Sequence, residues 1–304
     1  MRTLKRAART VAASVVAVLF LTVPAMGSAT GVITTKADEF NPAATDTYIA
    51  WNVYVHKHYV VYAKQFGGAR FRVNPTGTDA WAGSIDGTTL TYQQWVSSKG
   101  RSDIYTYDLV AKTRSKVGSP VSTDRWEYDG VASGDWVMFA RYYRNADRKI
   151  FLFNTSTLEL RRLAATSGKR WLLRSSQVNG NYAVWEKVLL RHGQLAGCAI
   201  FLYDIAGETA TKLDNPNARC QYASSVNPAG TVYFARSGFG CGKNVLLRQE
   251  PLGGSATTIV NFADNHDVSN LYAVDNGDTT TDVYYDPYRC GRSIQADIVK
   301  VTEP

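Results

Sequence analysis

The chain has 304 residues, 34 Lys and Arg against 26 Asp and Glu, a formal charge of +8, and 12% aromatic side chains. Four of the basic residues (Arg2, Lys5, Arg6, Arg9) lie in the first nine positions with no acid beside them, so without that segment the balance is 30 minus 26, or +4. That modest charge argues against nucleic acid as a natural target, and no stretch beyond the leading one is apolar enough to span a bilayer, which takes about 20 residues.

In chain order, the basic start is followed by the apolar run Val11 to Val23, then Pro24 and the small residues Gly27-Ser28-Ala29. This reads as a secretory signal peptide over 1–29, cleaved near Ala29. The remainder, 30–304, is expected to be one secreted, extracellular domain with no membrane insertion after cleavage. Its four cysteines, Cys198, Cys220, Cys241 and Cys290, suit an oxidising compartment and two disulfides.

From Tyr48 onward the chain alternates apolar and polar residues between turn signals, and the pattern repeats. Tyr59 to Val73, Asp103 to Val117, Lys149 to Leu163 and Ala199 to Leu213 align without a gap, and Asn244 to Val260 aligns with two extra residues in its turn. Each reads as a β-hairpin. Ahead of each lies a second hairpin, turned by Thr45-Asp46-Thr47, Asp86-Gly87, Ser133-Gly134, Asn179-Gly180, Pro228-Ala229-Gly230 and Asp275-Asn276-Gly277. The turn glycines 87, 134, 180, 230 and 277 are 47, 46, 50 and 47 residues apart. Four strands every 45 or so residues is the period of a propeller blade. The expected fold is therefore all-β: a six-bladed β-propeller of four-stranded antiparallel blades. The sixth unit ends at Pro304 after the strand around Ala296 to Val299, one strand short. Gly31 to Thr35 (GVITT) has the composition of the missing strand and is expected to close the ring by completing the last blade.

The segment Asn227-Pro228-Ala229-Gly230-Thr231-Val232-Tyr233-Phe234, together with Asp103-Ile104-Tyr105, resembles the repeat of TolB-like six-bladed propellers, in which a Ser-Pro-Asp-Gly turn precedes an apolar strand and an Asp-Ile-Tyr strand follows. The resemblance covers the chain after the leader at one degenerate motif per blade, and the α/β domain that precedes the propeller in TolB has no counterpart. It implies the fold. It leaves activity open, because such propellers serve as docking surfaces, ligand binders and, less often, polysaccharide-cleaving enzymes.

Strand direction alternates within a blade, so the loops between second and third strands share a face with the links between blades. That face collects the longer loops: Val55 to His58, Val96 to Ser102, Tyr142 to Arg148, Val188 to Gly197, Ser237 to Lys243 and Asp286 to Ala296. His56, His58, His192 and His266 fall there, with Arg101, Arg144, Arg148, Arg170, Arg191 and Arg219. These ten are the candidate ligand-binding residues, since converging cations raise the local potential and draw anions. Interleaved Asp147, Asp214, Asp264, Asp267 and Asp286 equally fit an ordinary solvated rim.

His56-Lys57-His58 lacks third and fourth ligands at a recognisable spacing, so no metal or other cofactor is expected. No Gly-x-Ser-x-Gly elbow marks a nucleophile, and no catalytic residue is assigned. Trp81, Tyr142, Tyr143, Phe239 and Tyr288 could stack on sugar rings, although most aromatics sit at alternating positions that suit blade packing. Pairing Cys198 with Cys220 and Cys241 with Cys290 would join neighbouring blades; the other two connectivities remain open. The function expected is that of a secreted, non-catalytic, monomeric binding protein recognising an anionic cell-envelope polymer or a protein partner. The alternative is a lyase or hydrolase acting on an acidic polysaccharide.

Overall fold

The computed structural model describes residues 29–35, 37–96, 100–192, 194–213, 220–238, 241–242, 246–262, 265–291 and 296–303. Residues 1–28 of the expected leader lie outside them. Among the described residues, twenty-four strands form six antiparallel four-stranded sheets. Blade 1 holds β2 (Glu39–Ala44), β3 (Tyr48–Val55), β4 (His58–Gln65) and β5 (Phe71–Arg72). Blade 2 holds β6 (Ala80–Asp86), β7 (Thr89–Val96), β8 (Arg101–Asp108) and β9 (Thr113–Lys116). Blade 3 holds β10 (Trp126–Ser133), β11 (Trp136–Tyr142), β12 (Arg148–Asn154) and β13 (Leu160–Thr166). Blade 4 holds β14 (Trp171–Asn179), β15 (Tyr182–Arg191), β16 (Gln194–Asp204) and β17 (Thr209–Lys212). Blade 5 holds β18 (Cys220–Val226), β19 (Val232–Ser237), β20 (Leu246–Glu250) and β21 (Thr257–Asn261). Blade 6 holds β22 (His266–Asp275), β23 (Thr281–Arg289) and β24 (Ile298–Glu303), with β1 (Thr30–Ile33) as its outer strand.

The ring is closed as the composition of GVITT implies. Thr30, Gly31 and Ile33 pair with Lys300, Val299 and Ile298, and Ile33 is buried in the same apolar cluster as Ile298, Trp51 and Tyr284. An open blade would leave β24 with unpaired backbone groups along one edge. The alternation of each second strand supplies the packing between blades: Trp51, Phe139, Phe234 and Tyr285 are among the largest fully buried side chains. Truncating such a residue to Ala costs about 3–5 kcal/mol.

Two loops are shorter than the sequence implies. β15 continues through Arg191 and β16 begins at Gln194, so most of Val188 to Gly197 is a long hairpin rather than a loop, and β23 runs on to Arg289. The ladder pairs Val188 with Cys198, Leu189 with Gly197 and Arg191 with Gln194, with one register shift between Leu189 and Leu190. Cys198 is bonded to Cys220 and Cys241 to Cys290, with Cα atoms 4.7 and 5.8 Å apart. Each bridge ties a blade to the next across 22 or 49 residues, and a loop of that size is worth about 3–4 kcal/mol in the chain-entropy account.

All six inner strands carry a β-bulge at the same height. The register breaks between Phe40 and Ala43, Ala82 and Ser84, Tyr128 and Val131, Ser175 and Gln177, Tyr222 and Ser225, and Val268 and Leu271. A bulge takes backbone groups out of the ladder and re-aims side chains. Here the released N–H groups are taken up by polar side chains of the preceding blade. Asn52 Oδ1 accepts from Ala82 N at 2.9 Å, Gln93 Oε1 from Asp129 N at 3.1 Å, Glu186 Oε1 from Ser224 N at 2.9 Å, and Asp286 Oδ2 from Asn41 N at 2.8 Å. All four acceptors are buried. Four of the six blade joints are thus clasped at the wall of the central channel.

Candidate functional site: a blind channel mouth and an adjoining cleft

In blades 1 to 5 one residue near the bulge holds the same place in its ladder: Phe40, Trp81, Tyr128, Arg174 and Tyr222, paired with Asn52, Gln93, Ala140, Glu186 and Ala235, each of which follows the large aromatic of its second strand. In blade 6 the residue after that aromatic is Asp286, which lies opposite the bulge itself. Four of the five are aromatic and one is a cation. Phe40, Trp81 and Arg174 line a cavity of about 240 Å³, with Asp129, Glu186 and Ser269 among its other walls.

The cavity does not run through the molecule. Tyr272 of blade 6 spans to blade 2, where its hydroxyl donates to Ile85 O at 3.2 Å and accepts from Ile85 N at 3.3 Å. Gln177 of blade 4 reaches Ala273 O of blade 6 at 3.3 Å. Tyr272 lines both this cavity and a second one of about 320 Å³ on the tight-turn face, which it divides from the first.

Three carboxylates surround Arg174, and two of them are committed to structure. Asp286 accepts from the backbone of Asn41, Ser269 and Asn270 and from Ser269 Oγ. Glu186 accepts from Ser224 N, Ser224 Oγ and Ser176 Oγ. Asp129 is different. Its bulge position holds it at φ 49°, and among the described residues its carboxylate has only an ion pair, Arg174 Nε to Asp129 Oδ2 at 3.8 Å. Burial pushes Asp129 up to about 6; Arg174 offsets part of that rise and Glu186 adds to it. Burial pulls Arg174 down, but Asp129, Glu186, Tyr128 and Asp286 outweigh it, so the guanidinium is held charged above its ordinary value. It remains 48% exposed to the water of the channel.

Beside the mouth, between blades 3 and 4, a cleft of about 280 Å³ shares Asp129 and Arg174 with the channel and adds Trp126, Tyr128, Tyr142, Arg148, Leu172 and Leu173. Trp126, 37% exposed, lies 5.1 Å from Trp95 and 5.7 Å from Tyr142 between ring centroids. Arg148 sits 5.0 Å over Tyr142 and donates through Nη1 to Trp171 O at 2.5 Å, which fixes its guanidinium at the cleft wall. The Tyr128 hydroxyl donates to Leu173 O at 2.9 Å. Arg125 and Lys149 stack on the neighbouring Tyr143 at 4.7 and 4.5 Å. The arrangement offers an apolar wall of aromatic faces, Trp126 and Tyr142 tilted 59° to each other, with the Arg148 guanidinium held beside it, which suits a ring-shaped ligand carrying negative charge.

Of the ten residues expected on this face, Arg148 alone lines the cleft, and no histidine lines the channel cavity among the described residues. Arg144, Arg170, Arg191, His192 and His56 are exposed: His56 and Arg144 in the loops of blades 1 and 3, Arg170 in the link before blade 4, and Arg191 with His192 at the end of β15. His58 lies 3.4 Å from Asp79. Arg101 is half-buried at the start of β8, and His266 at the start of β22. Arg219 and Phe239 lie outside the described residues. Cys241, Cys290 and Asp267 come within 4.8 Å of one another, but both thiols are spent in the disulfide and Asp267 accepts the Tyr222 hydroxyl, so no metal is implied there. Trp126, Tyr128, Asp129 and Arg174 escaped the sequence reading because they sit in strands, not loops. One signal was there: Trp81, Tyr128 and Arg174 each precede a turn glycine, 87, 134 and 180, by six residues, and only the last is charged.

The fold now has solved counterparts. No family model matches the sequence, and no curated protein does. A putative TolB from Agrobacterium tumefaciens superposes with a TM-score of 0.58 at 14% identity, covering 89% of this chain and 92% of that one. TolB from Acinetobacter baumannii gives 0.52 at 15% identity over 88% of this chain and 63% of its own. The chain is structurally similar to TolB six-bladed propeller domains. The β-propeller domain of the Trilobed protease from Pyrococcus furiosus, a domain with an open velcro topology, superposes with a TM-score of 0.53 at 11% identity over 90% of this chain and 96% of that one. Here, by contrast, β1 pairs with β24. At these identities the likeness shows the fold alone.

Proposed function

We propose that this protein is an exported, non-catalytic, monomeric binding propeller whose loop-rich face recognises an acidic cell-envelope glycan in the cleft between blades 3 and 4. The observation that carries this reading is the Trp126–Tyr142 wall with Arg148 pinned over Tyr142. Sugar rings stack their C–H faces on such walls, and a fixed guanidinium pairs with a carboxylate at little further entropic cost. Export is supported by the leader-like start and by the two disulfides.

Alginate, with neutral dextran as control, tests the reading by affinity electrophoresis. Retention by alginate alone, weakened on going from low to high salt and reduced about tenfold or more in Arg148→Ala and Trp126→Ala, is the expected result. Equal retention by dextran, or unchanged retention of both variants, overturns it. A second reading, cleavage of the same polymer, draws on Asp129, a carboxyl with a value near 6 beside a cation. Release of unsaturated or reducing ends from alginate, abolished in Asp129→Asn, would favour it over simple binding.

A further inference from the structure

Exposed apolar side chains are sorted between the two faces of the ring. Among the described residues, Val110, Leu158, Leu160 and Leu252 lie at the turns between third and fourth strands, whereas the exposed aromatics, Tyr54, Tyr59 and Trp126, all lie at strand ends on the loop-rich face of blades 1 to 3. Trp126 belongs to the cleft. Tyr54 and Tyr59 do not: they pair directly across the β3–β4 hairpin of blade 1 and are 51% and 37% exposed. Apolar residues exposed one at a time are ordinary, but these two are part of a contiguous group, and contiguous groups mark sites of contact.

The rings of that group run in series. Tyr54 lies 4.9 Å from Tyr59, and Tyr59 lies 5.1 Å from Trp81 of blade 2, with Phe40 edge-on to Tyr59 at 5.9 Å. Trp81 stands opposite Gln93 on the β6–β7 ladder, and Trp95 follows two residues later on the same side of β7, a diagonal of roughly 7–8 Å. Trp95 in turn lies 5.1 Å from Trp126, and Trp126 lies 5.7 Å from Tyr142. A row of aromatics thus leads from blade 1 across blade 2 to the cleft wall. Lys57 is exposed beside one end, and Arg125 beside the other next to the exposed Asp124; Asp79 is spent on Tyr59 N at 2.7 Å and on His58 at 3.4 Å. A globular partner needs a compact patch of roughly 800 Å². A linear chain of rings can follow a row.

We propose that Tyr54 and Tyr59 form a second stacking platform, at the joint of blades 1 and 2, for a further sugar ring of the same acidic glycan, which lies along the row from there to Trp126 and Tyr142. The ligand class rests on the glycan reading above; the platform itself rests on the exposed rings. A pyranose sets its C–H groups on an aromatic face while its hydroxyls and carboxylate stay in water, so stacking here buries no charge. Two platforms that hold one chain act as linked sites, and the second raises affinity without a second ion pair.

Hydroxyl-radical footprinting of the full-length protein with and without alginate, together with affinity electrophoresis of variants, tests this. Alginate is expected to protect Tyr54 and Tyr59 along with Trp126. Tyr54→Ala and Tyr59→Ala made together are expected to weaken retention about tenfold, while Tyr54→Phe and Tyr59→Phe, which keep the rings, should stay within about twofold of the parent. Should the double alanine variant melt early, Tyr54→Ala alone, at the more exposed ring, keeps the test open and should weaken retention about threefold. Protection of Trp126 alone, with retention unchanged in the alanine variants, overturns the platform and spares the cleft. Protection of Tyr54 and Tyr59 alone, with retention unchanged in Arg148→Ala, spares the platform and overturns the cleft. No protection of any of the three overturns both. Protection that grows with protein concentration in the absence of alginate assigns the row to a second copy of the chain and overturns the platform.

Discussion

Asp129 shows how one backbone feature sets a side chain's chemistry. The bulge in β10 places it at φ 49°, a region Asp tolerates better than most residues, and turns its carboxyl into the channel. Its value near 6 lies above the ordinary 3.8, so folding binds the proton more tightly than the unfolded chain does. The stabilising contribution is then fully present below about pH 4 and is lost as pH rises through 6. Asp129→Asn should therefore unfold at higher urea than the parent at pH 8, by on the order of 2 kcal/mol or less, and the difference should vanish near pH 4. Urea titrations at the two pH values check the sign. An unchanged gap would mean that the carboxyl carries no folding-linked proton. None of this was legible in Tyr128-Asp129-Gly130, because an Asp-Gly pair reads as a turn and here lies inside a strand.

Among the elements, the inner strands are where blades meet most closely. At Gly83, a Cβ would fall 1.9 Å from Gly130 O and 2.8 Å from Thr91 O, both backbone atoms that cannot swing aside. The bulges of blades 2 and 3 touch through this glycine. Gly83→Ala should cost about 3 kcal/mol or more. Gly118→Ala, where a Cβ would meet nothing within 4 Å, is the matched control and should melt with the parent. Similar melting of the two variants in a thermal scan would show that the blades separate more easily than their packing implies. Strand existence was plain from alternation and turn residues at nearly every blade. The bulges were not, since one extra residue shifts the alternation only locally, and the polar residues that clasp them, Asn52, Gln93 and Glu186, look in sequence like breaks in an apolar face.

For the whole molecule, closure by β1 decides whether six sheets behave as one unit. Removing Thr30–Ile33 takes away the partner of β24 and uncovers Ile298, which is fully buried. The expected result is a melting temperature lowered by about 5 °C or more, with aggregation on heating, since an unpaired edge recruits other chains. Ile33→Asp should act in the same direction with the strand still present. Light scattering during the melt, with unchanged midpoints in both variants, would remove closure as a source of stability.

What the sequence determined by itself was the repeat: period, strand count, the number of blades and the strand that closes them. These rest on local chemistry, on alternation, turn glycines and β-branched runs that each blade carries within its own 45 or so residues. The disulfide pairs were favoured because Cys241-Gly242 and Cys290-Gly291 occupy like places in successive repeats. What only the tertiary structure decided was which charges converge. Of the loop arginines and histidines that share a face by topology only Arg148 lines the cleft among the described residues, while Asp129 and Arg174, 45 residues apart in the inner strands of neighbouring blades, come to 3.8 Å of one another. A repeat places equivalent residues on a circle, and only the packing of blades around that circle sets which of them touch.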